Sequence, residues 1–178
     1  MAKKDFSGAT LDYTEAIKLN PEKTVYNERG IAKEEKGDID GAIADFDESI
    51  RLDPDFSNPY SNRALSYGKK GMLTGNKSYY EKAMNDLNKA ISLNPILGHA
   101  YTRRGIMKFY TGIKEGGVQD MIKGLSLGHI EAYKEINKLA NWRGITQKDV
   151  DELKKLLNHE NKKIADSVKK ILKKMGKY

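Results

Sequence analysis

Apolar and small residues along this chain fall at helical spacing, in segments that pair off and then repeat. From Thr24 to Lys36, and again from Ile39 to Leu52, the apolar positions recur every three or four residues, with charged positions between them. Gly37 separates the two stretches and Asp53-Pro54 ends the second, so the pattern predicts two helices joined by a tight turn. A second pair is predicted from Pro59, well suited to a first helical position, through a second helix over Tyr79–Leu93. A third pair occupies Gly98–Leu127. Tyr26, Tyr60 and Tyr101 open equivalent segments, as Tyr-Asn-Glu-Arg29-Gly30, Tyr-Ser-Asn-Arg63-Ala64 and Tyr-Thr-Arg-Arg104-Gly105. The first two tyrosines are 34 residues apart and the next two 41, which is one period plus a 7-residue insertion. A fixed period of this length marks stacked units, none of which buries its apolar face alone.

These positions resemble the tetratricopeptide repeat, a helix–turn–helix unit with an aromatic and a small residue in its first helix, A. Its second helix, B, carries Ala, an aromatic and a small residue, and Pro follows in the turn. The first unit supplies Tyr26, Gly30, Ala42, Phe46, Ser49 and Pro54. The second supplies Tyr60, Ala64, Ala83, Leu87, Ala90 and Pro95, and the third Tyr101, Gly105, Gly117, Met121 and Gly124 without the Pro. Small residues let helices approach, and aromatics fill the space between those contacts. The resemblance implies an all-α, right-handed α-solenoid. Residues 1–22 read as a partial repeat, since Asp5–Pro21 aligns without a gap on Asp38–Pro54 and is a helix B with no helix A before it. Residues 23–141 hold three repeats, with an insertion near 71–78 in a linker from Gly68 to Ser78, and a closing helix at 131–141. Trp142-Arg-Gly144 breaks the pattern, and 142–178 reads as a basic helical hairpin. In it, Val150, Leu153, Leu156 and Leu157 form one stripe, and Ile164, Val168, Ile171, Leu172 and Met175 another. An unpartnered helix B at the start makes self-association through that end an expectation.

A second regularity lies inside the first. Arg29, Arg63 and Arg104 take one place in helix A, and Asp45, Asp86 and Asp120 one place in helix B. Such recurrence predicts a bidentate Arg–carboxylate pair across each hairpin, leaving Asp12 of the partial repeat without its Arg.

Stacked repeats make binding surfaces, and an enzyme is not expected. The resemblance implies a concave groove lined by helix A positions that holds a segment of another protein. Carried over residue by residue, the groove comprises Asn27, Glu28, Ile31, Glu34 and Glu35 from the first unit. The second adds Asn58, Ser61, Asn62, Leu65 and Lys69, and the third His99, Thr102, Arg103, Ile106, Phe109 and Tyr110. Asn62, His99, Arg103 and Tyr110 are the expected centre of ligand contact. One subfamily clamps free C-terminal carboxylates with two Asn and three basic residues. Only Asn62 and Arg103 match that set; Asn27, Ile31 and His99 stand at the other three places, which argues against the clamp.

Charge and remaining motifs change the picture little. The chain has 178 residues, a net charge of +7 and no cysteine, which excludes disulfides and thiolate metal sites. From Glu131 to Tyr178 there are 13 Lys/Arg against 7 Asp/Glu, so the basic charge sits in the tail. The Lys-rich last helix reads first as a solvated face, and otherwise as an RNA- or membrane-surface contact. Gly71-Met-Leu-Thr-Gly75-Asn-Lys77-Ser78 imitates a phosphate-binding loop but has Asn76 where that loop needs Gly, and no strand before it. His99, His129 and His159 are far apart in sequence, and no metal or cofactor is expected. No apolar run spans a bilayer and no leader-like segment opens the chain, so a cytoplasmic protein is expected.

Overall fold

The computed structural model describes residues 5–112, 116–139 and 145–178. Two compact units divide the chain, Met1–Asn94 and Pro95–Tyr178. Among the described residues no helix is long and apolar enough to cross a membrane.

The first unit contains α1 (Phe6–Leu19), α2 (Lys23–Glu35), α3 (Ile39–Leu52), α4 (Ser57–Thr74) and α5 (Ser78–Leu93). Each helix packs on its chain neighbour, and α2 also meets α4. Asp5 and Asp38 cap α1 and α3, their carboxylates accepting from backbone N–H groups of the first turn. Ala42, Phe46, Ser49, Ala64, Ala83, Leu87 and Ala90 are all essentially buried, so the small and large positions of the repeat meet in the core. Gly30 lies against the Phe46 ring; a Cβ there would stand 2.6 Å from a ring carbon. α1 packs on α2, yet none of its residues is fully buried, and Leu11 and Leu19 are exposed.

The insertion is not in a linker. α4 continues through Gly68 and Gly71 to Thr74, making 18 residues where α2 and α6 have 13. Both glycines are buried, and Gly71 seats the Tyr80 ring where a Cβ would be 2.8 Å from it. Gly75, at φ 69°, then ends the helix in the left-handed region. Gly71, which the linker reading puts in a turn, is a close helix–helix contact, and the turn is compressed to residues 75–77.

The second unit contains α6 (Gly98–Tyr110), α7 (Gly117–Ser126), α8 (Ala132–Leu139), α9 (Gln147–Lys155) and α10 (Lys162–Lys174), with a short 3₁₀ turn at Leu156–Asn158. Gly105 and Gly124 bring α6 and α7 together: a Cβ on Gly105 would lie 2.5 Å from the Gly117 carbonyl oxygen. Thr146 and Asp149 form a reciprocal capping box at the start of α9. Val118, Met121, Ile122 and Leu125 of α7 share one apolar cluster with Ala132 and Ile136 of α8, Val150 and Leu153 of α9, and Ile164, Val168, Ile171 and Leu172 of α10. The hairpin stripes thus pack on the last repeat. α8 lies within the segment expected as a closing helix; the expected end of that segment at 140–141 and the boundary at Trp142 lie outside the described residues, as do residues 1–4 of the expected partial repeat.

Candidate functional site

The A helices are stitched to their B helices by the pairs that the repeat predicts. Arg29 donates through Nε and Nη2 to the two carboxylate oxygens of Asp45 at 2.8 and 2.6 Å. Arg63 and Asp86 reproduce this at 2.8 and 2.6 Å, and Arg104 and Asp120 at 2.9 and 2.7 Å. Each guanidinium also lies over the tyrosine three residues earlier, Tyr26, Tyr60 or Tyr101, at 5.4 to 5.7 Å. Lys33 and Lys108 add a second cation to Asp45 and Asp120, at 2.9 Å each. In the first unit a third arm reaches further: Arg29 Nη1 donates to Thr14 of α1, and Arg63 Nη1 to Asp47 of α3. Thr14 and Asp47 are equivalent positions in successive B helices. These carboxylates and guanidinia are committed to structure.

Between α2 and α4 a second set of polar bonds is buried. Asn62 Nδ2 donates to Asn27 Oδ1 at 2.9 Å, and Ser66 donates to Glu34 Oε1 at 2.9 Å. Lys69 Nζ stands 3.4 Å from Glu34 Oε2. Asn27 is 3% and Asn62 9% exposed, so their side chains serve each other before any ligand. Ser61 and Glu34 are buried as well. The groove positions that remain accessible in this unit are Glu28 and Glu35, which are exposed, and Ile31, Asn58, Leu65 and Lys69, which are half-buried. The long α4 adds two positions outside the expected set, Met72 and Leu73, at 57% and 75% exposure. They continue the Leu65–Lys69 row at helical spacing, a signal present in the sequence but masked by treating Gly68–Ser78 as a linker.

In the second unit, Thr102 is buried and Arg103, Ile106 and Phe109 are half-buried, while Tyr110 is 46% exposed. Ile106, Phe109 and Tyr110 line a hollow of about 140 Å³ together with Met121, Glu135 and Lys138. His99 is half-buried, and its Nε2 is a buried nitrogen with no hydrogen-bond partner among the described residues. Burial, then the charge of Arg103 and the neighbouring His129, push its pKa down to about 4. The ring of His129 lies 6.3 Å away, and its Nδ1 meets the Thr102 hydroxyl at 2.9 Å. Burial lowers the His129 pKa too. Sequence separation hid this histidine pair. Among the described residues no group of His, Asp or Glu side chains could hold a metal ion.

α10 fully encloses Ile164, Val168, Ile171 and Leu172 of its apolar stripe, with Met175 half-buried, and leaves its lysines and Asp166 to solvent. A helix lying on a membrane surface needs that apolar face free.

Comparison with known proteins agrees with this architecture. A family model described as TPR repeat matches residues 30–71, and one described as tetratricopeptide repeat matches residues 64–97. No curated protein matches the chain. A thermophilic TPR protein of Thermus thermophilus is similar in structure, with a TM-score of 0.72 at 17% identity, over 96% of this chain and 90% of that one. MamA is similar with a TM-score of 0.65 at 20% identity, over 98% of this chain and 92% of that one. The first TPR domain of Spaghetti (RPAP3), solved with the HSP90 peptide SRMEEVD, has a TM-score of 0.58 at 27% identity, over 67% of this chain and 90% of that one. The fold is thus the all-α solenoid class built from paired helices. Residues 30–97 match tetratricopeptide-repeat models, and the described chain has the fold of tetratricopeptide-repeat proteins.

Proposed function

We propose that this protein is an interaction scaffold that holds an extended segment of another protein against the exposed side of its A helices. In this reading residues 1–22 are a partial repeat, 23–141 the repeats with their closing helix, and 142–178 a basic hairpin. The observation that carries it is the buried Asn62–Asn27 and Ser66–Glu34 bonding between α2 and α4. Those bonds hold two A helices side by side before any ligand arrives, so the surface is preformed and binding costs little ordering of the scaffold. On α2 and α4 the partner meets Glu28, Glu35, Asn58 and Lys69 around the apolar Ile31, Leu65, Met72 and Leu73. The second unit, taken by itself, offers a partner His99, Arg103 and Tyr110 of α6, and the hollow beside Phe109 and Tyr110 accepts one apolar side chain. Asn27 and Asn62 act by positioning.

The RPAP3 domain was solved with a peptide of sequence SRMEEVD. In this chain Asn62, the one asparagine that matches a carboxylate clamp, is bonded to Asn27, which supports recognition of an internal segment over a C-terminus. A peptide array probed with the full chain tests the proposal. Binders are expected to weaken about tenfold with Leu65→Glu/Met72→Glu or with Arg103→Glu, while circular dichroism stays unchanged. Array binding that is indifferent to every one of these substitutions would rule the A-helix surface out.

A further inference from the structure

A second concavity lies on a different side of the second unit, between the B helix α7 and the hairpin helix α9. It has a volume of about 400 Å³, within the range of ligand-binding clefts. Ile122 and Leu156 supply its apolar surface, and Lys123, Lys148 and Lys155 stand around it with Glu152. Lys155 and Glu152 pair with each other at 2.6 Å and cancel. Lys123 and Lys148 are exposed and enter no ion pair among the described residues, so the cleft keeps a positive balance. One end is pinned, because His159 Nε2 meets the Ser126 carbonyl oxygen at 3.2 Å and ties the 3₁₀ turn to the end of α7. The walls are firm: Val118 and Ile122 of α7 and Val150 and Leu153 of α9 belong to the same buried cluster.

We infer that this cleft is a second docking site, for an acidic peptide segment that carries an apolar side chain between its carboxylates. Apolar lining between two unpaired cations is complementary to carboxylates flanking a Leu-like residue. A nucleic acid fits less well. Among the described residues no aromatic ring lines the cleft for base stacking, and Glu152 repels a continuous row of phosphates. The site is separate from the A-helix surface proposed above, so one chain would join two partner segments through two faces.

Fluorescence anisotropy on the full chain tests this with three labelled probes: a dodecapeptide of repeated Leu-Glu-Glu, its Leu-Gln-Gln counterpart, and oligouridylate of similar length. The Leu-Glu-Glu peptide is expected to bind, and Lys123→Glu/Lys148→Glu to weaken it about tenfold or more. Lys163→Glu/Lys170→Glu makes the same change in net charge on the outer face of α10 and should weaken it less than about threefold. Leu156→Ala should weaken it about threefold without changing its salt dependence. The inference is overturned if the Leu-Glu-Glu peptide does not bind or the Leu-Gln-Gln peptide binds equally well. Equal losses from the two charge reversals overturn it too, as does oligouridylate binding more tightly and losing affinity on the same cleft variant.

Discussion

The repeats of the first unit and the hairpin bundle of the second solve the same packing problem by different means. Around α2, α3 and α4 the core consists of small residues, one large side chain per unit, and a lattice of polar bonds. Around α7, α8, α9 and α10 it is one apolar cluster, in which Met121, Leu125, Ile136, Leu153 and Ile171 are fully or almost fully buried. Apolar burial supplies stability without direction, whereas a bidentate Arg–Asp pair is met in one geometry only. Hence the bundle is expected to carry the stability of its unit, and the stitched repeats to carry the accuracy of their stacking.

The largest expected effect comes from emptying the bundle. Leu153→Ala or Ile171→Ala should cost about 3 kcal/mol, read as a lower denaturation midpoint of the second unit. A loss under about 1 kcal/mol would put the weight of that unit elsewhere.

Breaking one stitch should cost nearly as much, and removing the whole stitch much less. Asp86→Ala leaves Arg63 half-buried without its bidentate partner and should destabilise by about 2–3 kcal/mol. Arg63→Leu/Asp86→Leu removes both charges and should fall within about 1 kcal/mol of the wild type. If the double change costs more than the single one, the pair contributes net stability rather than geometry. Chemical denaturation of both variants beside the wild type decides this.

A pH dependence arises from His99. Its folded-state pKa of about 4 lies below the ordinary histidine value of 6.5, so the unfolded chain takes up the proton first. The stability that the neutral ring contributes is complete above pH 6.5 and is lost as the pH falls toward 4. His129, also lowered, acts in the same direction. The combined loss should reach about 2 kcal/mol, reduced from the full shift because both rings keep some solvent access. The gap between denaturation midpoints measured at about pH 7 and about pH 4.5 should be smaller for His99→Gln than for the wild type.

The smallest effect belongs to the buried amide pair. Asn62→Ala should cost about 1–2 kcal/mol by leaving Asn27 without its partner, and it should weaken peptide binding only through a looser α2–α4 surface. An Asn27→Ala/Asn62→Ala double variant closer to the wild type in stability would mark the same positional role as the Arg–Asp stitch.

How much of this was legible in the sequence depended on whether a feature recurs. The helix pairs, the small positions and the three Arg–Asp bonds each occur several times in register, and repetition separates signal from accident. The features that occur once were hidden. Gly68 and Gly71 read as breakers because glycine ends helices, and only the Tyr80 ring packed against α4 explains a buried glycine inside one. Asn27 and Asn62 lie 35 residues apart, and nothing local announces that they bond each other. The carboxylate clamp of one subfamily assigns an asparagine at the place of Asn62 to a ligand, but here Asn27 of the neighbouring helix claims it. His99 and His129 met for the same reason: the turn after α7 returns the chain to the start of α6.

The third arm of the arginines carries a consequence for the order of the units. Arg29 finds a hydroxyl on the preceding B helix, Thr14, whereas Arg63 finds a carboxylate, Asp47. Two B helices that look interchangeable by shape therefore present different sockets to the next A helix. A chain in which α1 and α3 traded places would meet each arginine with the other's counter-group. The spine of the array is thus keyed, with a neutral socket on α1 and a charged one on α3.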